Sequence, residues 1–446
     1  MNAREIALDM LIDILEEKRL SHIVINDGLK KATELEKQDR AFISRLVTGC
    51  VEQQITLDYD INRFSKIKVS KMKPLIRNLL RIGVYQIKYM TQVPESAVCN
   101  EAVKLAKKRG LTGLSGFVNG ILRSMVRQRD MLMSMPEKIS KSEQLSYEFS
   151  TPLWLVNFWA KRFGMEHTRM ILEAFCANKE TTIRCDVNNI SVEKLKENLV
   201  MEGVDVQEGH LLQEALRISN YDSLERLASF QNGLFTVQDE SSMLVGKIAN
   251  VQPNDKIIDV CAAPGGKSIH VAQLLNGTGR VYAFDKTQRK VDLIIENAKR
   301  LKVDNLTAKV ADALVLKEEL IGSADIVIAD LPCSGLGVIG KKPDIKYNMT
   351  WESMKELASL QKDILKVVSQ YVKQGRTLIY STCTINPMEN EDNVRFLKTL
   401  GFELEDINPY LPEKMWSETT KEGYLQVLPY QWNTDGFFIA RLRKVG

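Results

Sequence analysis

No apolar stretch in the sequence approaches the ~18 residues of a membrane-spanning helix. The start, MNAREIALDM, has no basic segment leading into an apolar one, so no export signal is expected. Cysteine is scarce and scattered. The seven are Cys50, Cys99, Cys176, Cys185, Cys261, Cys333 and Cys383, and they form no C-x-x-C pair. That excludes a disulfide scaffold and points to a reducing, cytoplasmic setting. The four histidines (His22, His167, His210, His270) contain no H-x-x-x-H pair, so no metal site is expected. Tandem repeats and low-complexity tracts are also missing. With 44% hydrophobic and 26% charged residues, the chain is too balanced to be disordered. Its 446 residues suit about three domains.

A net charge of 61 − 57 = +4 is too mild to imply nucleic acid. Its distribution says more. Residues 1–130 hold 23 basic and 15 acidic side chains, leaving 38 against 42 for the rest. A basic front fits a polyanionic partner and a lysine-rich helical surface equally well.

Three patterns succeed one another. In residues 1–130, Ile6, Met10 and Ile14 repeat at helical spacing beside Leu11 and Leu15. DRAFISRLVTGCVEQQ, KPLIRNLLRIGVYQIKYM, SAVCNEAVKLAKKRG and GFVNGILRSMVRQRD continue that pattern, which predicts an all-α bundle. Residues 131–235 read as a linker around Pro136 and SKSEQ, followed by a small α+β domain. LWLVNFWAKRFG and VEKLKENLVMEG read there as helices, TTIRCDVN and GLFTVQD as strands. From residue 236 to 446, short apolar runs alternate with helical ones: KIIDVCAA, RVYAFD, LTAKVAD, ADIVIADLP and RTLIYSTC. Buried parallel strands in an α/β, doubly wound sheet follow, with ligands at the strands' carboxyl ends.

The strand ends carry the informative residues. The first runs into DVCAAPGGKS, where Gly265 and Gly266 precede a helix. A bare Gly-Gly is most often a tight turn, and this one has neither G-x-G-x-x-G nor Walker A spacing, so a diphosphate cradle is disfavoured. The second strand ends at Asp285 and the third at Asp312. Each acid alone is most often a cap or loop residue. Together with the glycines they describe an adenosine-like ligand across three strand ends. With no phosphate fingerprint, S-adenosylmethionine fits better than NAD. Asp330 and Cys333 lie in ADLPCSG after the fourth strand, and Cys383 lies in YSTCT after the fifth. A cysteine is usually a small buried hydrophobe, and Cys50, Cys99, Cys176 and Cys185 are read that way. Cys333 and Cys383 face the ligand crevice instead.

Two thiols beside a methyl donor have a chemical use. Carbon 5 of cytosine is a poor nucleophile. A thiolate adding at carbon 6 makes carbon 5 enamine-like, so it can take a methyl group; loss of the carbon-5 proton then expels the enzyme. Asp330 suits the N3/N4 edge of the base, and Lys267 either adds positive charge to the site or is a solvated helix residue. This chemistry leaves open which thiol attacks.

DVCAAPGGKS, DLPCSG and STC-T together resemble the RNA cytosine-5 methyltransferases, the NOL1/NOP2/Sun family. VPESAVCNEAVKLAK and GFVNGILR resemble a NusB-type RNA-binding domain. VQDESSMLV (237–245), KKPDIKY (341–347) and TDGFFIARL (434–442) also match family patterns. The combination resembles the bacterial members that modify 16S ribosomal RNA. The resemblance covers nearly the whole chain and is weakest over 131–235. Leu331 and Tyr347 stand where many relatives have alanine and tryptophan.

The resemblance implies a multidomain enzyme: a NusB-like helical domain (1–130), a small α+β domain (131–235) and a Rossmann-like methyltransferase domain (236–446). It implies that Cys383 is the nucleophile and that Cys333 assists product release. The cofactor contacts it implies are Cys261, Ala262, Ala263, Pro264, Gly265, Gly266, Lys267, Asp285, Asp312 and Asp330. The expected partner is 16S ribosomal RNA, free or in an assembling small subunit, with a monomer as the default. The rival expectations are the same chemistry on transfer RNA, or an inert RNA-binding factor.

Overall fold

A computed structural model describes residues 2–31, 34–137, 139–177 and 180–446. It divides into two compact units, Met1–Cys176 with Ile339–Asn348, and Ala177–Val338 with Met349–Gly446.

The first unit is helical among its described residues. Its helices include Ala3–Leu15, Ser21–Lys31, Lys37–Glu52, Gln54–Phe64, Pro74–Tyr89, Glu95–Lys108 and Ser115–Arg127. Pro74 opens its helix where an N–H is not needed. That helix is buried from Asn78 to Ile87, so its polar side chains need internal partners. Arg81 forms a two-pronged pair with Asp58 at 2.7 and 2.8 Å, and Asn78 donates to Glu16 at 2.7 Å. Glycines let the helices approach: a Cβ on Gly83 would meet Leu122 at 2.6 Å. The SKSEQ stretch, expected as linker, instead starts the helix Lys141–Glu148. Ser140 and Glu143 form a reciprocal capping box there, an S-x-x-E signal that the sequence carried.

KKPDIKY belongs to this helical unit. The chain leaves the second unit after Val338 and returns at Met349. Lys346 donates to the carbonyls of Glu52 (2.9 Å) and Phe149 (3.2 Å), and the Tyr347 hydroxyl donates to Glu52 O at 2.7 Å. Burial pushes the Lys346 ammonium down to about 8.

Among its described residues the second unit holds two sheets. Strands β1 (Thr181–Cys185), β2 (Asp205–Glu208), β3 (Ala215–Ser219) and β4 (Phe235–Val237) form an antiparallel sheet in the order β2-β3-β1-β4. Leu195 and Leu199, on the helix Val192–Met201, pack against it. The larger sheet contains β5 (Lys256–Asp259), β6 (Arg280–Asp285), β7 (Leu306–Val310), β8 (Ala324–Asp330), β9 (Val372–Thr382), β10 (Phe402–Leu404), β11 (Tyr424–Val427) and β12 (Phe437–Lys444). Its order is β10-β12-β9-β8-β5-β6-β7, with β11 also paired to β12. The strands from β9 to β7 are parallel, and β12 adds antiparallel to β9.

Two apolar layers sandwich the larger sheet. Ile258, Val327, Leu378 and Tyr380 face one layer, while Ile257, Ile326, Ile328 and Ile379 face the other. This alternation on continuously apolar strands is what burial on both faces demands. Each fully buried aliphatic side chain there contributes roughly 1.5–3 kcal/mol. The strand order reverses between β5 and β8 while the strands stay parallel, so the loops after β5, β6, β7, β8 and β9 open on one edge, where such sheets bind their ligands.

Candidate active site

The residues predicted from the strand ends converge there. Gly265, at φ +106°, turns the chain from β5 into the helix Gly266–Leu274. Asp285, at the end of β6, accepts the Ala263 N–H at 3.1 Å and so pulls the Cys261–Lys267 loop towards its own strand. Its other oxygen accepts Lys286 N at 2.7 Å and pairs with Lys290 at 3.0 Å. Asp312 accepts Leu314 N at 3.1 Å and pairs with Lys286 at 2.9 Å. Both contacts hold its carboxyl below the usual range. Burial raises the Cys261 thiol, with Asp259, Asp285 and Asp330 adding to the effect, so it stays protonated.

Asp330 anchors the centre. Its two oxygens accept Lys267 Nζ at 2.6 Å and Ser381 Oγ at 2.8 Å. Burial disfavours the Lys267 ammonium, but Asp330 outweighs it and holds the group above its ordinary value. Lys267 therefore acts as a fixed positive charge rather than a solvated helix residue. Its Nζ lies 5.2 Å from the centre of the Phe437 ring.

The two thiols meet: Cys333 Sγ lies 3.3 Å from Cys383 Sγ. Both residues are partly exposed. The Cys383 neighbour first, then burial, pushes the Cys333 thiol well up, so Cys333 holds its proton. The adjoining turn is tightly packed. Gly337 N donates to Cys383 O at 3.0 Å, and a Cβ on Gly337 would fall 1.9 Å from Gly436 O. VQDESS and TDGFF also meet, through Asp435 N and Asp239 Oδ1 at 3.1 Å.

Three groups were missed from sequence. Asp259 is buried and accepts Ser268 Oγ at 2.5 Å. Burial, reinforced by the Asp330 charge, pushes it up to about 7. Phe437 lies beside Lys267. Glu389 is fully buried behind the cysteines. A buried acid inside INPMENE was the available signal. Of the cysteines read as buried, Cys50, Cys99 and Cys185 are buried, whereas Cys176 is exposed because it ends its helix.

A doubly wound sheet with an acid-lined strand-end crevice and paired thiols defines a methyltransferase class. Family models match residues 1–127 (NusB family), 151–224 (RsmF/B-like ferredoxin-like domain) and 247–443 (16S rRNA methyltransferase RsmB/F). A probable ribosomal RNA small subunit methyltransferase B of Bacillus subtilis is 36% identical, over 100% of this chain and 99% of its own. A Synechocystis protein of the same description is 34% identical over 100% of both chains. The fold of PH0851 matches with a TM-score of 0.84 at 23% identity, covering 100% of this chain and 99% of that one. NSun6 from Pyrococcus horikoshii, solved with SFG, matches 65% of this chain and 97% of its own at 26% identity and a TM-score of 0.58.

The chain belongs to the RsmB/F family of 16S rRNA methyltransferases. It is an rRNA methyltransferase with a NusB-like helical domain, a ferredoxin-like middle domain and a Rossmann-like catalytic domain.

Proposed function

We propose that this enzyme methylates carbon 5 of a specific cytosine in 16S ribosomal RNA, using S-adenosyl-L-methionine and a covalent adduct to Cys383. The observation that carries this reading is the 3.3 Å approach of Cys333 and Cys383 beside the Lys267–Asp330 pair. The descriptions of the RsmB-type relatives support the substrate class.

The donor set fits the cofactor. Asp285 and Asp312 offer carboxylates to hydroxyl and amino groups, and Asp330 adds negative charge favourable to a sulfonium. The Gly265–Gly266 turn has neither G-x-G-x-x-G nor Walker A spacing. Cys261–Lys267 would hold the cofactor's edge, with Asp285 at the ribose and Asp312 at the adenine. Bound S-adenosyl-L-methionine supplies an electrophilic methyl group.

The residues divide the remaining work. Cys383, as thiolate, forms a bond to carbon 6, and the displaced ring electrons enrich carbon 5. Asp330 holds the N3/N4 edge of the base, and Lys267 stabilises charge that builds on the ring. After methylation, a base takes the carbon-5 proton, the freed electron pair restores the ring double bond, and the Cys383–carbon bond breaks with Cys383 leaving as thiolate. Cys333 assists this release. The target base must leave its stack to reach the thiols. Residues 1–130 contact RNA through phosphates and shape, residues 131–235 help form the RNA surface, and residues 236–446 carry the chemistry. The setting is cytoplasmic, the working form a monomer without metal, and the substrate free 16S RNA or an assembling subunit.

The test uses the full chain, radiolabelled S-adenosyl-L-methionine, and unmodified 16S and transfer RNA, followed by nucleoside analysis. Label in 5-methylcytidine from 16S RNA, free or in small-subunit particles, is expected. Label in transfer RNA alone, or in another nucleoside, would contradict the reading.

A further inference from the structure

We propose that Glu389 is a positioning residue that ties the two thiol-bearing turns together and fixes the approach of Cys333 to Cys383. It rests on the reading that Cys383 forms the adduct and Cys333 assists its release.

Cys333 and Cys383 lie on separate turns, after β8 and β9, so something must hold the turns in register. Glu389 contacts both. One carboxylate oxygen accepts Ser334 N at 2.8 Å and Gln361 Nε2 at 3.0 Å. The other accepts Ser334 Oγ and, at 2.7 Å, Asn386 Nδ2. Ser334 follows Cys333 directly. Its hydroxyl also lies 2.8 Å from Thr384 Oγ1, and Thr384 follows Cys383 directly. Gln361 extends the tie by donating to Pro332 O, on the other side of Cys333, at 2.8 Å. Glu389, Ser334, Gln361, Thr384 and Asn386 are all buried.

The chemistry of the group matters as well as its position. All four contacts are donors, and an ionised carboxylate accepts without donating. A glutamine there would turn an NH2 group towards donors on one side. Its loss of fit falls on Ser334 and so on Cys333. Burial pushes the Glu389 carboxyl up, against the pull of its Ser334, Asn386 and Gln361 contacts; in its ionised form its charge adds to the effects that hold the Cys333 thiol protonated. A single buried side chain thus sets the place of the thiol assigned to release and adds to the effects that keep it protonated.

Full-length wild type, C333A and E389Q are compared with S-adenosyl-L-methionine and 16S RNA. Turnover and the covalent protein–RNA adduct on denaturing gels are measured. E389Q should keep KM for S-adenosyl-L-methionine within about twofold and lose roughly 10²-fold in kcat, the scale of a small misplacement of a reacting group. It should also accumulate adduct, as C333A does. Wild-type turnover in folded E389Q, or lost turnover without adduct while C333A accumulates it, would overturn the role. If C333A itself forms no adduct, the assignment of the thiols fails instead.

An RNA-free readout then decides on Glu389. The pH profile of Cys333 alkylation, followed by mass spectrometry, should move to lower pH in E389Q while that of Cys261 stays in place. An unmoved Cys333 profile would overturn the role. Should E389Q not fold, S334A keeps the main-chain contact and removes the hydroxyl tie. It should accumulate more adduct than wild type, and wild-type adduct levels would contradict the proposal.

Discussion

The acids after β6 and β7 and the thiols after β8 and β9 line the same sheet edge in different surroundings. Asp285 and Asp312 pair with Lys290 and Lys286, whose side chains are 54% and 67% exposed. Such partners swing away at little cost, because exposed pairs contribute only about 0–1 kcal/mol. Behind Cys333 and Cys383 lies a sealed polar network of Glu389, Gln361, Asn393 and Tyr380, each buried and hydrogen-bonded to the others. The half assigned to a cofactor that enters and leaves each cycle is adaptable, whereas the half assigned to bond making is preorganised. A catalytic geometry gains when its supports are fixed before the substrate arrives.

Substitutions in the two halves should therefore fail differently. The largest effect is expected for Cys383→Ala, which should lose roughly 10⁴-fold or more in kcat while keeping its fold, as the loss of a covalent nucleophile does. Circular dichroism with single-turnover methylation checks both, and substantial activity would contradict the assignment.

Asp330→Asn comes next. It removes the charge that holds Lys267 and should cost roughly 10²–10³-fold in kcat, with a smaller loss of cofactor affinity by calorimetry. On the adaptable side, Asp285→Asn should show the reverse split. Loss of a charged hydrogen-bonding partner raises KM for S-adenosyl-L-methionine by roughly tenfold or more, with kcat less affected. A kcat defect in Asp285→Asn equal to that of Asp330→Asn would erase the distinction between the halves.

The smallest effect concerns stability. Asp259 ends β5, between the halves, and is pushed from 3.8 up to about 7 by burial, with Asp330 adding to the shift. Between those values the folded chain holds a proton that the unfolded chain has released. Stability therefore falls as pH rises from about 4 to about 7 and levels off above. Asp259→Asn removes this contribution. Denaturant unfolding at pH 4.5 and 7.5 should show wild type losing stability relative to the variant; an equal difference at both would contradict it.

Both sides of this contrast were legible from sequence, but the buried supports of the thiols were not. The acids could be read because each apolar run ends in its own acid, so Asp285, Asp312 and Asp330 mark strand ends by position. The thiols could be placed the same way. Glu389 could not, because its partners Ser334 and Gln361 are 55 and 28 residues away and only the fold brings them together. The strands β2, β3, β10, β11 and β12 also escaped: β2, for one, is exposed along most of its length and lacks an apolar alternation. The 339–348 segment falls within the expected catalytic domain, yet Lys346 and Tyr347 are satisfied by carbonyls of the helical unit. Local pattern carries no record of such a partner.

The central claim is the division of labour between the thiols. Its most direct test is mass-spectrometric mapping of the protein–RNA adduct trapped with Cys333→Ala, S-adenosyl-L-methionine and 16S RNA. The account predicts a peptide cross-linked at Cys383, bearing a methylated cytosine. No adduct from Cys333→Ala, or a wild-type adduct mapped to Cys333, would contradict it.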